Sequence, residues 1–339
     1  MKRILFTLTA LVFGIAYSFA DTRQVVMLFH QGTGTEYAYD QLQQALDDAT
    51  AGDTLYLNDG EYPINGDALT ISHPVSIIGT GINTRLLGSV DISIPDSVTL
   101  TSYMLDALRV NGNVRVQQPV NGLKYRKCYI EGTVSWNATT RDVLVDRCYI
   151  GQFNHTINLK SANVVNSRIK MEYTRPKSAS NNYGNSLTFI NCAIKELKCE
   201  YGSGLMSERA NNYSTYINSI ISTWSSSNVN DSGTYYLYNC SFINSLVGFT
   251  IPDEVNVKEN CYYPNEPDFF DWKFINGTKK AQEELIERGF LGTDGTVVGP
   301  EGGSAPYTLI PSGISVRESK LTIDGENRTL NVRLKLTSN

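Results

Sequence analysis

Lys127-Cys128-Tyr129-Ile130 opens a series of seven related four-residue segments in the middle of the chain. The second residue of each segment is cysteine or serine and the fourth is isoleucine, phenylalanine or tyrosine, whereas the third varies freely. Two columns are therefore small or apolar throughout, as expected for positions that face a core. The other segments are Arg147-Cys148-Tyr149-Ile150, Asn166-Ser167-Arg168-Ile169, Asn191-Cys192-Ala193-Ile194, Asn218-Ser219-Ile220-Ile221, Asn239-Cys240-Ser241-Phe242 and Asn260-Cys261-Tyr262-Tyr263.

The pattern continues upstream of each segment. Positions three and five residues before the cysteine or serine are small or apolar, as at Leu123 and Tyr125, in every repeat except the last. Because alternate residues of a strand share a face, these positions predict one inward stripe interrupted by a turn. Successive segments are 20, 19, 25, 27, 21 and 21 residues apart, which is typical of solenoid coils with loop insertions. We predict stacked parallel coils over residues 52–264, with the asparagines from Asn166 to Asn260 bonded along the stack.

These coils resemble the right-handed parallel β-helix (pectate lyase-like) superfamily, whose members include pectate lyases, polygalacturonases, alginate and chondroitin lyases and phage tailspikes. The N-terminal residues 39–46, 51–57 and 74–79 are similar to the start of such proteins. The resemblance implies an all-β solenoid whose open end is capped by a short amphipathic helix. The residues with the spacing to cover that end are Leu42, Ala45, Leu46 and Ala49.

The template stops after residue 263. Residues 279–288 read as a short helix and residues 292–303 as a glycine-rich loop, whereas residues 307–311, 320–323 and 330–336 alternate like strands. This ending resembles that of exported β-helix proteins of Bacteroidetes type. We divide the chain into a signal peptide (1–20), an N-terminal strand and cap helix (21–51), the parallel β-helix (52–264), a helix and Gly-rich linker (265–306) and a small C-terminal β appendage (307–339).

The N-terminus has the pattern of a secretory signal peptide. Lys2 and Arg3 precede an apolar run over residues 4–16, and Ser18 and Ala20 supply the small residues expected before a cut after Ala20. No later segment has eighteen unbroken apolar residues, and the formal charge of -5 includes no basic block. We expect an exported protein, secreted, periplasmic or held at the cell surface, that does not span a membrane or bind nucleic acid.

The catalytic motifs of the enzymes in this superfamily are largely missing. Of the polygalacturonase pattern only Arg168-Ile169-Lys170 is present, and the inward column already explains Ile169. The Trp-Ile-Asp-His strand of pectate lyases is absent, and no Cys/His spacing predicts zinc. We therefore expect a non-catalytic protein that binds a glycan or a host surface, without a metal or cofactor.

A polysaccharide lyase acting on a uronic-acid polymer is the alternative. Lys170 and Lys195 fall in one outward column, with Arg168 on the same face and Glu131 two coils earlier. Two close lysines lower the pKa of one of them by like-charge repulsion, which suits a general base. Calcium would be a cofactor only under this alternative, and a plain solvated face is the simpler interpretation.

A second outward column contains Tyr129, Tyr149 and Arg168. Aromatic rings beside a guanidinium could form a platform for sugar rings. Insertions over residues 172–186 and 201–214 leave the solenoid in one region, where they could border a groove. The binding candidates are Tyr129, Tyr149, Arg168, Arg175 and Glu131, and Lys177, Glu208 and Arg209 lie on the same insertions.

The cysteines of the template read as small inward residues, because serine replaces them twice, and Cys199 lies outside the template. Cys128 and Cys148 could bridge adjacent coils in an oxidising compartment, although ladder packing needs no bond. The disulfide state therefore stays open for Cys128, Cys148, Cys192, Cys199, Cys240 and Cys261.

Overall fold

The computed structural model describes residues 24–95, 98–174, 186–199, 214–226, 240–251, 257–263, 279–308, 314–324 and 329–338. Within these ranges the chain is largely β-structure, with two short helices, α1 (Leu42–Asp47) and α2 (Lys279–Glu287). Parallel strands stack into a β-solenoid, so the predicted all-β parallel β-helix is confirmed. Neither helix in the described ranges has the length and hydrophobicity to cross a bilayer.

Sheet A runs along the whole solenoid. Its strands pair in parallel from Thr54–Leu57 onward, whereas the first strand of the chain, Val25–His30, pairs antiparallel with both of its neighbours at the N-terminal end. Its strands are β1 (Val25–His30), β2 (Thr33–Ala38), β3 (Thr54–Leu57), β6 (Ser76–Ile78), β10 (Leu105–Asp106), β14 (Lys124–Arg126), β17 (Val143–Asp146), β19 (Ser161–Val165), β21 (Ser186–Ile190), β23 (Ser214–Ile217), β25 (Ser241–Ile243) and β27 (Val257–Glu259).

Sheet B forms the second wall, and a short sheet C lines the third side of three coils. The strands of sheet B are β4 (Gly60–Pro63), β5 (Leu69–Ile71), β7 (Thr84–Leu87), β8 (Val90–Ile92), β11 (Arg109–Val110), β12 (Val114–Val116), β15 (Tyr129–Trp136), β18 (Tyr149–His155), β20 (Arg168–Thr174), β22 (Ala193–Cys199), β24 (Ile220–Ser226) and β26 (Leu246–Val247). Sheet C contains β9 (Val98–Thr99), β13 (Val120–Asn121) and β16 (Thr140–Arg141), and β28 (Ile314–Asp324) and β29 (Thr329–Ser338) form a separate antiparallel hairpin.

The inward stripe is where the sequence pattern predicts it. Leu123, Tyr125, Cys128 and Ile130 are all 0% exposed, and equivalent positions of the next coils are also buried. At the N-terminal end, the predicted cap is confirmed because α1 and the second residue after it bury four apolar side chains. These are Leu42, Ala45, Leu46 and Ala49.

From Ala107 onward, one residue in the left-handed backbone conformation turns each described coil from sheet A to sheet B. Among non-glycine residues, asparagine tolerates this conformation best, because its short polar side chain can bond locally. The backbone therefore explains why asparagine recurs at the first template position. The residues at this corner, with φ between 46° and 54°, are Ala107, Lys127, Arg147, Asn166, Asn191, Asn218, Asn244 and Asn260.

The residue after this corner is the second template position, and its hydrogen bonding explains why it is restricted to cysteine and serine. In four coils the buried backbone N–H of this residue donates to the side-chain sulfur or oxygen of the equivalent residue in the following coil, so the column needs an acceptor as well as a small side chain. The described cysteines of this column are free thiols. The bonds run from Cys128 to Cys148 Sγ (3.4 Å), Cys148 to Ser167 Oγ (3.0 Å), Cys192 to Ser219 Oγ (3.1 Å) and Ser219 to Ser245 Oγ (3.2 Å).

The predicted register of the sixth repeat is wrong. Tyr216 pairs with Phe242, and the Ser219 N–H bonds to Ser245, so Ser245 rather than Cys240 continues the cysteine/serine column. Cys240 instead lies five residues upstream, at a buried position directly before β25. The segment Asn244-Ser245-Leu246-Val247 fits the template as well as Asn239-Cys240-Ser241-Phe242 does, and strand pairing decides between them.

The glycine-rich stretch expected to be a linker packs against the solenoid instead. We call residues 285–307 the C-terminal strap. Its side chains cover the outer face of the last coils of sheet B, where the outward column is apolar rather than charged. The contacting residues are Leu285, Val297 and Val298 of the strap and Ala193, Ile220 and Leu246 of the solenoid.

The strap also overturns the predicted amide ladder for two asparagines. Asn166 Nδ2 donates to the carbonyl oxygens of Gly302 (2.7 Å) and Pro300 (3.2 Å). Asn218 exchanges hydrogen bonds with Thr293, whose backbone N–H lies 3.0 Å from Asn218 Oδ1. These side chains reach sideways to the strap because their carbonyl and hydroxyl partners lie there, so they dock a segment rather than link the coils.

Strands β20, β22 and β24 end in register at one corner, at Thr174, Cys199 and Ser226. Each is followed in the sequence by an insertion that lies outside the described residues. Residues 172–174 belong to β20, so the first insertion is shorter than predicted. Arg175, Lys177, Glu208 and Arg209 lie outside the described residues.

Candidate functional site

The outward face of sheet B carries the column predicted from the sequence. Arg109 pairs in register with Tyr129, Tyr129 with Tyr149, and Tyr149 with Arg168. Side chains in such a column are about 4.8 Å apart along the solenoid axis. We call three residues of this column, Arg109, Tyr129 and Tyr149, together with Glu131, the tyrosine face.

The two tyrosine rings stack on each other within this column. Their centroids are 4.4 Å apart and their planes differ by 7°. The guanidinium of Arg109, which pairs with Glu131, lies 5.1 Å from the centroid of Tyr129 on the column axis. Burial, followed by the neighbouring Tyr129, raises the pKa of Tyr149. Because neighbours in the column cover the faces of Tyr129, this ring offers its edge and hydroxyl to a ligand, rather than a face on which a sugar can stack.

Arg168 is not exposed, although its position in the column suggested that it would be. It is 3% exposed, forms an ion pair with Glu301 and has its guanidinium carbon 4.9 Å from the centroid of Tyr307. Burial raises the pKa of Glu301, and the positive charge of Arg168 opposes this effect. The strap therefore forms a wall across the C-terminal end of the tyrosine face.

A cluster of charges lies at the corner beside the tyrosine face. Arg126 donates hydrogen bonds from Nε and a terminal nitrogen to the carboxylate of Asp106, and Arg147 donates in the same way to Asp146. Between them Lys127 is 4% exposed. Burial, Arg147 and Arg126 together lower the pKa of Lys127. The charge of each arginine is balanced by an aspartate. Lys127 therefore gives this corner one surplus positive charge.

Lys170 and Lys195 lie where the sequence placed them. They occupy equivalent positions on β20 and β22, between the pairs Ile169–Ile194 and Met171–Glu196. Both side chains are exposed. Neither forms an ion pair with a carboxylate in the described ranges, so two uncompensated ammonium groups stand beside each other.

A buried polar cluster of Tyr216, Glu172 and His155 was not predicted from the sequence. The hydroxyl of Tyr216 donates to Glu172 Oε2 (2.8 Å), and His155 Nδ1 lies 3.8 Å from Glu172 Oε1. All three residues are at most 1% exposed. Glu172 occupies an inward column between Phe153 and Leu197, and this break in an apolar column is the signal that could have identified it.

Glu301 and Tyr307 were also missed, because their partner Arg168 is more than 130 residues away in the sequence. Arg109 was missed because its coil lacks the cysteine or serine that defines the template. Within the part of the chain that the structure describes, no group of three or more His, Cys, Asp or Glu side chains is arranged to hold a metal ion.

Comparison of the chain with protein-family models, with curated proteins and with solved structures gave no match in any of the three. The parallel β-solenoid and the geometry of its outward faces are therefore the basis for inferring a function.

Proposed function

We propose that the protein binds an acidic polysaccharide along the tyrosine face without cleaving it. The observation that carries the proposal is the stack of Tyr129 on Tyr149 at 4.4 Å, half-buried and flanked by Arg109 and Glu131. This arrangement places hydroxyl, guanidinium and carboxylate groups in a regular row. A polymer with repeating hydroxyl and carboxylate groups can bond to several of them at once.

The charge of this region favours an acidic ligand. The chain as a whole has a formal charge of -5, yet Lys127, Lys170 and Lys195 add positive charge around the tyrosine face without a matching carboxylate in the described ranges. Each charge-assisted hydrogen bond to a carboxylate is stronger than a neutral one. We therefore favour a uronic-acid or otherwise acidic glycan over a neutral one at this site.

Binding without cleavage is the better-supported function. A lyase that uses Lys170 or Lys195 as base needs cations to neutralise the substrate carboxylate, and the other lysine of the pair would be one of them. Arg168 is the nearest guanidinium in the register, and Glu301 already neutralises it beneath the strap. The residues of the three insertions support binding too, since most of them are Tyr, Ser, Gly or Asn, a composition typical of adaptable binding loops.

The family and the location of the protein are part of the proposal. The coil length and the inward columns support membership of the pectate lyase-like β-helix superfamily, and the pattern of residues 1–20 supports export. An exported protein of this kind would meet polysaccharides at the cell surface or in the medium.

The proposal is tested by measuring binding to a panel of acidic and neutral polysaccharides by isothermal titration calorimetry. The double variant Tyr129→Ala/Tyr149→Ala should weaken binding of the acidic ligand at least tenfold, since it removes the whole stack. Tyr39→Ala is the matched control, because Tyr39 is 44% exposed and lies outside the tyrosine face. Binding that is unchanged in the double variant would rule out this face.

The lyase alternative has a separate assay. Cleavage by elimination creates a conjugated double bond that absorbs in the ultraviolet, and the panel above supplies the substrates. If the alternative holds, absorbance grows with wild-type protein and is lost with Lys170→Ala or Lys195→Ala. Growth of the signal with wild type would also contradict the binding-only proposal.

A further inference from the structure

A second patch of exposed aromatic side chains lies on the outer face of sheet A, at the N-terminal end of the solenoid. Phe29 of β1 is 39% exposed and Tyr56 of β3 is 46% exposed. Their centroids are 5.4 Å apart and their planes meet at 86°. In this edge-to-face arrangement the edge of one ring meets one face of the other, so each ring keeps at least one face that its partner does not cover, in contrast to the stacked rings of Tyr129 and Tyr149.

The rings line an open cleft with a polar rim. The other lining residues are Gln31, Gly32, Gly52 and Thr54. The side chains of Gln31 and Thr54 form no hydrogen bond within the described ranges, so an amide and a hydroxyl are available to a ligand. No charged side chain lines the cleft. Apolar rings beside a few polar groups are typical of sites that bind small uncharged molecules.

The backbone leaves room above this cleft. Gly32 and Gly52 have φ of 85° and 94°, and a Cβ atom placed on either would meet nothing within 4 Å. Beneath the rings, by contrast, a Cβ on Gly34 would lie 3.4 Å from the Phe29 ring. Phe29 therefore rests on β2, while the space over the two turns stays open to a ligand.

We propose that this cleft binds a neutral pyranose ring, which stacks its C–H face on Tyr56 and bonds its hydroxyls to Gln31 and Thr54. The C–H groups on one side of a pyranose form an apolar surface that packs against an aromatic face, and the uncharged lining favours a sugar without a carboxylate. This site is separate from the tyrosine face, because it lies on the other sheet. It would give the protein a second sugar contact that does not depend on the first.

The test is saturation-transfer NMR on the full-length protein with methyl glycosides of glucose, galactose, mannose and N-acetylglucosamine. At least one of these sugars should receive saturation, and Tyr56→Ala should reduce that signal at least fivefold, because it removes the stacking surface. Phe29→Ala should weaken the signal as well. The signal should persist in Tyr39→Ala, which removes an equally exposed tyrosine elsewhere, and in Tyr129→Ala/Tyr149→Ala, which removes the tyrosine face.

Three results would overturn the proposal: no saturation of any of the four sugars, an undiminished signal in Tyr56→Ala, or a loss that occurs equally in Tyr39→Ala. The test is independent of the acidic-polysaccharide experiment. Loss of binding in the Tyr129→Ala/Tyr149→Ala variant alone would place the neutral sugar on the tyrosine face and so refute the cleft, while leaving the first proposal intact.

Discussion

At the level of single residues, the coil depends on a left-handed corner that asparagine fills best. Asn260 has φ 49° and is exposed, so its substitution tests the backbone rather than the packing. Asn260→Val should lower the free energy of unfolding by about 1–2 kcal/mol, because a β-branched residue is strained in this conformation. Asn260→Gly should change it by less than about 0.5 kcal/mol. Urea denaturation measures both effects. Glu259→Val is the control, because it places valine at an exposed position of the extended strand β27. Equal effects of the two valines would contradict the role of the corner.

Ser219 tests the acceptor role of the cysteine/serine column. Its Oγ accepts the buried N–H of Cys192 (3.1 Å) and donates to the carbonyl of Ile217 (2.9 Å). Ser219→Ala leaves that N–H without a partner and should cost about 1–3 kcal/mol of unfolding free energy. Ser219→Cys should cost clearly less, since cysteine holds this position in other coils. If alanine and cysteine proved equally tolerated in thermal unfolding, small size alone would explain the column.

Asp53 gives the protein a predictable response to acid. Burial alone would raise the pKa of this carboxyl, but hydrogen bonds from the Thr50 backbone and side chain and from His30 outweigh it, and the pKa is lowered. Since the folded pKa lies below the unfolded one of about 3.9, the carboxylate stabilises the fold above that pH. The stabilisation is lost as the pH falls through the folded pKa.

Asp53→Asn should therefore lower the free energy of unfolding at pH 7 by about 1–3 kcal/mol. The difference from wild type should shrink as the pH falls below about 4, where the unfolded aspartate takes up its proton. Urea unfolding at several pH values follows this trend, and Asp40→Asn, at an exposed aspartate, should match wild type throughout. A constant difference between Asp53→Asn and wild type down to pH 2 would contradict the assigned cause.

At the level of elements, the strap is held to β20 by a buried ion pair. Arg168→Met should lower the free energy of unfolding by about 3–5 kcal/mol, because it leaves the carboxylate of Glu301 buried without its partner. The double variant Arg168→Met/Glu301→Leu should be within about 1 kcal/mol of wild type, since it removes both charges. A double-mutant cycle measured by urea denaturation gives the coupling. Additive effects of the two substitutions would show that the pair does not hold the strap.

The elements also show how far the sequence could predict the structure. Inward columns follow from period-two alternation, which is local, and Leu123, Tyr125 and Ile130 are all buried as predicted. The sixth coil was misplaced because Asn239-Cys240 and Asn244-Ser245 fit the same local rule, and only pairing with β23 separates them. The burial of Arg168 depends on Glu301 and could not be read from periodicity. The same limit applies to the site, where the alignment of Tyr129 with Tyr149 was predictable and the wall formed by Tyr307 was not.

At the level of the whole molecule, each coil contacts its two neighbours, so the solenoid alone is a one-dimensional stack. The strap changes this, because it bonds to Asn166 and Asn218 and packs against Ala193 and Ile220, which lie on successive coils. One segment therefore ties several coils together on the outside. The hairpin of β28 and β29 differs, since its strands pair with each other and with no other strand in the described ranges.

Two truncations separate these roles. A chain that ends at Thr308 keeps the strap and should melt within about 2 °C of the full-length protein, since it loses no strand pairing with the solenoid. A chain that ends at Arg288 also lacks Val297, Val298 and Glu301. Loss of the two valines exposes apolar surface worth about 1.5–3 kcal/mol per side chain, and loss of Glu301 removes the carboxylate that pairs with Arg168. Its melting temperature should fall by roughly 10 °C or more, given about 2–4 °C per kcal/mol for a chain of this size. Calorimetry measures both, and a large drop already in the first truncation would mean that the hairpin, rather than the strap, holds the coils together.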